Sequence, residues 1–452
     1  MPDSQYVAEL KKRIQKRNPN QEEFIQAVTE ILDNVAGELD DTEQYRRYRI
    51  FERLTEPDRI ISFKVEWLDD DGCAQLNRGW RVQQSNLIGP YKGGLRFHPT
   101  VSESVIKFLA FEQCFKNALT GLPLGGGKGG SDFNPKGKSD HEIMSFCQAF
   151  MTQLYRHIGA NVDVPAGDIN VGAREIGFLY GQYRKIRNQF SGVLTGKALE
   201  MGGSLVRTEA TGFGVIYFLK HVLALKSMTI EGLKVTVSGA GNVALYAAKK
   251  ALENKAKVIT LSNSRGVLYK AKGFTKSDID WLIKYDNIKD NTLLSFSEED
   301  SKKSEVEWRA GEKPWQYQCD VAIPCATQNE MNGEEAKQLI DNGCKVVICG
   351  ANMPCTSEAI AAIHGANDCC YIPGKASNAG GVAVSGLEMS QNAGFESQTF
   401  EYLDGRLQDI MKHIHAQCAE CGKTENGSVD YEKGASIAGF HILAKAMLAQ
   451  GV

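Results

Sequence analysis

The stretch that most restricts the fold is "LKVTVSGAGNVALYAAKKALENKAKVITLSNSRG", residues 233–266. Residues 234–238 form a β-branched run that predicts a buried strand. Gly239, Ala240 and Gly241 predict a tight turn, residues 242–254 have helical composition, and residues 258–261 predict a second strand. Strand, helix and strand in this order make a βαβ unit, which buries its apolar faces only inside a parallel sheet covered by helices. Two further apolar runs, residues 320–324 and 345–349, each precede a polar loop and predict more strands of that sheet. The fold class expected is α/β, with a Rossmann-like doubly wound domain.

The turn has a chemical reading. Gly239 and Gly241, with Ala244 at the third small position, follow a strand and open a helix. The first glycine permits the turn, the second lets backbone approach a pyrophosphate, and the small third residue lets helix pack on strand. The helix N-terminus adds N–H groups and a favourable field for an anion. A strand–helix turn without a ligand is the plainer alternative. The end of the second strand discriminates between cofactors. NAD enzymes usually place an acid there, about 20 residues on, to bind the ribose hydroxyls. This chain has Ser262, Asn263, Ser264 and Arg265. Nothing there repels a 2′-phosphate, and hydroxyls and a guanidinium are at hand to bind one, so NADP is expected in preference to NAD.

The second unusual stretch is "GLPLGGGKGGSDFNPKGK", residues 121–138, with seven glycines and three lysines. It reads as a loop between helices at 105–119 and 141–158. It suits a phosphate cradle and a deep substrate cleft equally well. With "GPYKGGLRFHP" and "FEQCFKNALTG" it places Lys92, Lys116 and Lys128 beside glycines or at a helix end, and "DVPAGDIN" adds one acid, Asp168. Converging ammonium groups repel one another and burial adds to the effect, so their pKa values fall and a neutral amine becomes available. Three separate structural lysines packing their stems on the core remain an alternative on spacing alone.

At 452 residues the chain is too long for one core, and two domains are expected. Residues 21–36 read as an amphipathic helix, residues 59–85 as paired strands, residues 209–225 as an apolar helix, residues 381–411 as one long helical tail, and residues 435–449 as a last helix. With 52 basic and 55 acidic residues the net charge is −3, which argues against a broad nucleic-acid-binding face. The start "MPDSQYVAELKKRIQKR" lacks a signal-peptide core, and no apolar run reaches the ~18 residues of a membrane helix. A soluble, cytoplasmic protein with neither membrane nor nucleic-acid partner is expected. The 12 cysteines are scattered and several lie in apolar runs, so disulfides are not expected. His413, His415, Cys418 and Cys421 have metal-ligand types but no second pair at structural-zinc spacing, and no metal is expected.

Seven motifs, "GPYKGGLRFHP", "GLPLGGGKGGSDFNPKGKSD", "DVPAGDINVGAREIGFLYGQY", "RTEATGFGV", "PCATQNE", "GANMP" and "SNAGGVAVSGLEMSQN", run in order from about residue 40 to the C-terminus. Together they resemble the hexameric glutamate dehydrogenases of about 450 residues, in their NADP-dependent form. The resemblance implies reversible conversion of L-glutamate to 2-oxoglutarate and ammonia. It implies that Lys92 and Ser385 bind the side-chain carboxylate and that Gln113 and Lys116 hold the α-carboxylate. Lys128 would activate water and Asp168 would shuttle protons. Arg207 and Thr211 would lie near the nicotinamide, Asn242 and Val243 at the pyrophosphate, and Gln328, Asn352 and Asn378 along the nicotinamide and its ribose. Lys136 would reach the 2′-phosphate across a cleft, and Ser262 and Ser264 would add contacts from the other wall. It further implies a substrate and oligomerisation domain at 1–203 with 427–452, a dinucleotide domain at 204–426, and a homohexamer. The rival reading within the same superfamily is a dehydrogenase of leucine, valine or phenylalanine, or the same reaction with NAD. Those apolar substrates need an apolar side-chain pocket, whereas Lys92 and Ser385 point to a carboxylate.

Overall fold

The computed structural model describes residues 5–285, 291–300, 306–366 and 368–451. It divides into two compact units, Met1–Arg207 with Val382–Leu403 and Ser436–Val452, and Thr208–Gly381 with Asp404–Ala435.

The first unit is built on a mixed five-stranded sheet in the order β1-β2-β4-β3-β5. Its strands are β1 (Arg59–Leu68), β2 (Ala74–Ser85), β3 (Tyr91–Phe97), β4 (Gly126–Ser131) and β5 (Asp163–Gly167). β1 and β2 form the expected antiparallel pair, and β3 runs parallel to both β4 and β5. Against one face lie the helices Asp140–Leu154 and Ala173–Arg187, whose Phe146, Phe150, Ile176 and Leu179 share a core with Val65, Leu95 and Phe97. On the other, the helix Glu103–Leu119 packs Ile106 and Ala110 on Trp80 and Val82. The amphipathic N-terminal helix is longer than expected, Glu22–Asp41, and sets Phe24 edge-on to Phe111 of that helix.

The glycine-rich stretch is not a loop throughout. Residues 126–131 form β4, buried along its whole length between β2 and β3. Local propensity argues against a strand here, because glycine is a poor strand former. Close approach decides otherwise: a Cβ at Gly126 would lie 2.1 Å from Cys114 Sγ of the covering helix.

The second unit holds a seven-stranded sheet in the order β12-β11-β10-β6-β7-β8-β9. The strands are β6 (Lys234–Val237), β7 (Lys257–Asn263), β8 (Gly266–Lys270), β9 (Val306–Ala310), β10 (Val321–Ile323), β11 (Val346–Ile348) and β12 (Cys370–Ile372). From β12 to β7 the strands are parallel, and β8 and β9 add an antiparallel edge. The chain winds from β6 out to β7 and later returns to β10 on the other side of β6. This reversal of strand order is the switch point at which doubly wound sheets bind ligands, beyond the carboxyl ends of the strands.

Three expectations need correction. Residues 381–411 are not one helix. Helices Gly380–Gly394 and Phe400–Cys421 are separated at Phe395, whose φ of 55° no helix accommodates. Residues 382–403 belong to the first unit, not to the dinucleotide domain, and the first boundary falls after Arg207. The side chains explain this: Glu388 pairs with Lys197, Gln391 accepts from Ser204, and Asn392 donates to Gly202 O. The final return begins at Ser436, inside the helix Tyr431–Gln450, and not at residue 427.

Candidate active site

Alternate residues of a strand face the same way, so Lys92, Gly94 and Arg96 of β3 share a face. The parallel register that sets Leu95 beside Gly129 brings Lys128 of β4 to the same side. Gly94 leaves the space that the next residue beyond β5 occupies: a Cβ there would lie 2.8 Å from the Cβ of Asp168. Lys128 Nζ donates to Asp168 Oδ1 at 2.8 Å, and Arg96 Nε donates to Oδ2 at 2.7 Å. The covering helix delivers Gln113 and Lys116 from its C-terminal turns. Gln113 Nε2 donates to Asn117 Oδ1, and the buried Asn117 amide donates to Lys92 O and Gly125 O. Asn117 thereby ties β3, the start of β4 and this helix together.

The lysines are perturbed in the direction that convergence and burial dictate. Burial pushes Lys92 well below the ordinary lysine value, and the charges of Arg207 and Arg81 add to it. Lys92 is 1% exposed and forms no ion pair among the described residues. Burial, helped by repulsion from Lys128, lowers Lys116 to about 8. Lys128 is lowered by burial, against the attraction of Asp168. For Asp168, burial opposes ionisation, but Lys128 and Arg96 outweigh it and hold the carboxyl well below its usual range. Beneath the sheet, the fully buried Arg81 is neutralised by Asp163, which also accepts from Gln83.

Ser385 stands on the helix Gly380–Gly394 and accepts a hydrogen bond from Arg207 Nε at 3.0 Å. Arg207, expected near the nicotinamide, directs its guanidinium to the Ser385 hydroxyl in the first unit, and its charge adds to the lowering of Lys92. One turn on, Glu388 is fully buried, accepts from Gly196 N and pairs with Lys197 at 2.8 Å. Thr195, beside this pair, has a buried hydroxyl with no hydrogen-bond partner, and its N–H donates to Pro165 O of β5. Arg96 and Thr195 escape the sequence reading. The even spacing of Lys92 and Arg96 on a strand is a signal for the first; nothing in the sequence marks the second.

In the second unit, Gly239 takes a φ of +84° directly after β6, which a side chain would strain. Gly241 precedes the helix Asn242–Glu253 in extended backbone, and a Cβ on it would meet nothing within 4 Å. Asn242 Nδ2 donates to Thr208 O at 2.6 Å, and Val243 follows half-buried in the first turn. Thr211 lies in the first turn of the helix Ala210–Leu225. The loops after β10 and β11 carry the exposed Gln328 and Asn352. Asn378 is buried and donates to Gly350 O and Asn352 Oδ1, while its own Oδ1 has no partner.

Ser262 differs from expectation. It is buried, and its Oγ accepts from Gly239 N at 3.1 Å, so it shapes the turn rather than facing a phosphate. Ser264 and Arg265 sit at the tip of the two-residue turn between the antiparallel strands β7 and β8, both exposed. Lys136 is exposed on the segment after β4, in the first unit. An NADP molecule fits this residue set. The helix N-terminus is open and its first turn has no acid, the β7 end has hydroxyl and guanidinium in place of a carboxylate, and Asn378 Oδ1 is an unmet acceptor.

The metal-ligand types on the helix Phe400–Cys421 diverge. His415 is buried with its Nε2 2.9 Å from Tyr431 Oη, Cys418 is buried, and His413 is exposed. Among the described residues no cluster of three metal-binding side chains occurs. All 12 cysteines are free, and no described helix is long and apolar enough to cross a membrane.

A dinucleotide turn at a switch point in one unit, and buried lysines around an ionised aspartate in the other, define a class: a nicotinamide-dependent dehydrogenase of a small anionic substrate. The chain belongs to the Glutamate/Leucine/Phenylalanine/Valine dehydrogenase family, whose model matches residues 202–451, while the model for the family's dimerisation domain matches residues 57–185. It is 52% identical to an NADP-specific glutamate dehydrogenase of Psychrobacter sp. over 450 residues, 99% of each chain. It is 49% identical to an NAD-specific glutamate dehydrogenase of Bacteroides fragilis, again over 99% of each. Among solved structures, a Plasmodium falciparum glutamate dehydrogenase superposes with a TM-score of 0.96 at 49% identity, covering 99% of this chain and 95% of that one.

Proposed function

We propose that the chain catalyses the reversible oxidative deamination of L-glutamate to 2-oxoglutarate and ammonia with NADP. The observation that carries the substrate assignment is Lys92: a buried amine without an ion-pair partner among the described residues, backed by the Arg207–Ser385 pair. An apolar side chain would leave this polar group buried and unpaired, whereas a carboxylate would hold it protonated and pair with it. Lys92, Ser385 and Arg207 hold the side-chain carboxylate, with the Thr195 hydroxyl as a further donor. Lys116 and Gln113 hold the α-carboxylate. Fixing both ends aims Cα–H, so orientation supplies much of the rate.

When bound, NADP would supply the hydride acceptor; Asn242, Val243, Gly239 and Gly241 would hold its pyrophosphate, Thr211, Gln328, Asn352 and Asn378 its nicotinamide side, and Ser264 and Lys136 its 2′-phosphate. Loss of hydride leaves an iminium at Cα. The neutral amine of Lys128 takes a proton from water as the water attacks. Asp168, ionised in the resting site, accepts that proton through the Lys128 bond and returns it to the departing amine, and the neutral Lys128 so regenerated takes the carbinolamine's hydroxyl proton as the C–N bond breaks and the ketone forms. In the reverse direction the same groups act in the opposite order.

The match of residues 57–185 to a dimerisation-domain model supports self-association, and we extend the reading to a homohexamer in the cytoplasm. Light scattering should then give a mass six times that of the chain. The substrate reading is tested with Lys92→Leu combined with Ser385→Val. This variant should lose 2-oxoglutarate by about 2 kcal/mol or more and gain in relative rate on apolar 2-oxo acids. Retained preference for 2-oxoglutarate would assign its carboxylate to another cation.

A further inference from the structure

We propose that Arg96 is a positioning residue for the proton-transfer pair: its guanidinium holds Oδ2 of Asp168 so that Oδ1 alone is turned to the Lys128 amine. The inference rests on the reading of Lys128 and Asp168 given above. A carboxylate on a short side chain rotates freely unless both oxygens are engaged, and here each oxygen has its own cation, at 2.7 and 2.8 Å. The arrangement is built into β3. Lys92, Gly94 and Arg96 alternate onto one face, and the bare Gly94 admits Asp168 between the two cations. The side chains of Arg96 and Asp168 are 12% and 15% exposed, so solvent does little to replace this bond.

The charges facing Lys128 are few. Arg96 stands on β3 and Asp168 follows β5. Lys116 comes from the helix Glu103–Leu119, with Glu112 beside it. Arg81 lies on the far side of β4 and is neutralised by Asp163. Arg96 touches the carboxylate that Lys128 touches. Its removal acts on Lys128 twice in the same direction: a repelling charge is lost, and Asp168 is left to Lys128 alone. Lys128 would then hold its proton to higher pH, and a base that must be neutral to act would be available only there.

The test uses wild type, Arg96→Gln and Arg96→Lys. One arm is competitive labelling of amines with acetic anhydride across a pH series, with Lys128 read separately from Lys116 by peptide mass spectrometry. The other is the pH profile of kcat/KM for glutamate oxidation. In Arg96→Gln the labelling midpoint of Lys128 and the acidic limb of the profile should move up together by about half a pH unit or more. Its turnover at the optimum should fall about tenfold. Arg96→Lys keeps the charge but not the planar donor, and should restore the midpoint while turnover stays lowered. An Arg96→Gln midpoint equal to wild type, or turnover within about twofold of it, overturns the proposal. If Arg96→Gln does not fold, Arg96→Lys decides: undiminished turnover overturns the proposal. A wild type that does not oxidise glutamate contradicts the proposed reaction instead, and the labelling arm still decides the role of Arg96.

Discussion

Asp168 has a cation on each oxygen, and Lys128 is buried with a pKa pulled down by that burial. Removing either partner therefore removes proton transfer and leaves the cofactor residues of the second unit untouched. Lys128→Ala and Asp168→Asn should each lower turnover about a hundredfold or more, while NADPH binding, followed by fluorescence titration, stays near wild type. Near-normal turnover in either would take the chemistry away from this pair. Lys116 carries a pH prediction. Its pKa is lowered to about 8, by burial first and Lys128 second, so its ammonium is present below that pH and lost as pH rises through it. A residue that binds the α-carboxylate by charge must then let KM for 2-oxoglutarate climb above about pH 8, and Lys116→Arg, charged throughout, should flatten the climb. Glycine surroundings, unusual for lysine, singled out the lysines in the sequence, but spacing alone left three separate structural lysines open, and their roles came from the seven motifs. The partners of Arg207 and Ser262 were not. Both side chains turn inward to groups distant in sequence, Ser385 and Gly239, and a side chain's direction leaves no linear trace.

At the scale of elements, β4 and the helix Gly380–Gly394 are the informative cases. Strand propensity missed β4, since what makes it a strand is the closeness of Cys114 and its ladder partners on β2 and β3, visible only once the sheet is assembled. The βαβ unit was legible because its periodicity and its turn agree locally. The helix Gly380–Gly394 was legible as a helix, but its allegiance was not; that is decided by Glu388, Gln391 and Asn392 reaching residues nearly 200 positions earlier. The buried Lys197–Glu388 pair fixes the helix that carries Ser385. Glu388→Ala leaves an uncompensated ammonium in the core and should cost about 3–5 kcal/mol. Calorimetry should show a clear drop in Tm, and KM for glutamate should rise as Ser385 loses its support. Lys197→Leu with Glu388→Leu should recover part of the lost stability, because breaking the pair costs more than replacing it.

For the molecule as a whole, the division into units separates the buried lysines, in one, from the glycine turn that opens the helix Asn242–Glu253, in the other. Relatives of nearly equal identity to this chain are named for different cofactors, so overall identity does not by itself separate NADP from NAD. In this chain the β7–β8 turn carries the exposed Ser264 and Arg265 and no acid. A charge-assisted hydrogen bond contributes roughly 1.5–3 kcal/mol, so two such contacts separate NADPH from NADH by about a hundredfold or more. Ser264→Ala and Lys136→Ala should each narrow that gap. Initial rates of the purified wild-type chain with 2-oxoglutarate, ammonia and either NADPH or NADH decide whether it works as a glutamate dehydrogenase with NADP. NADPH should be oxidised only when both other substrates are present, with kcat/KM for NADPH about a hundredfold or more above that for NADH. No 2-oxoglutarate-dependent oxidation of NADPH, or equal use of NADH, would contradict this reading.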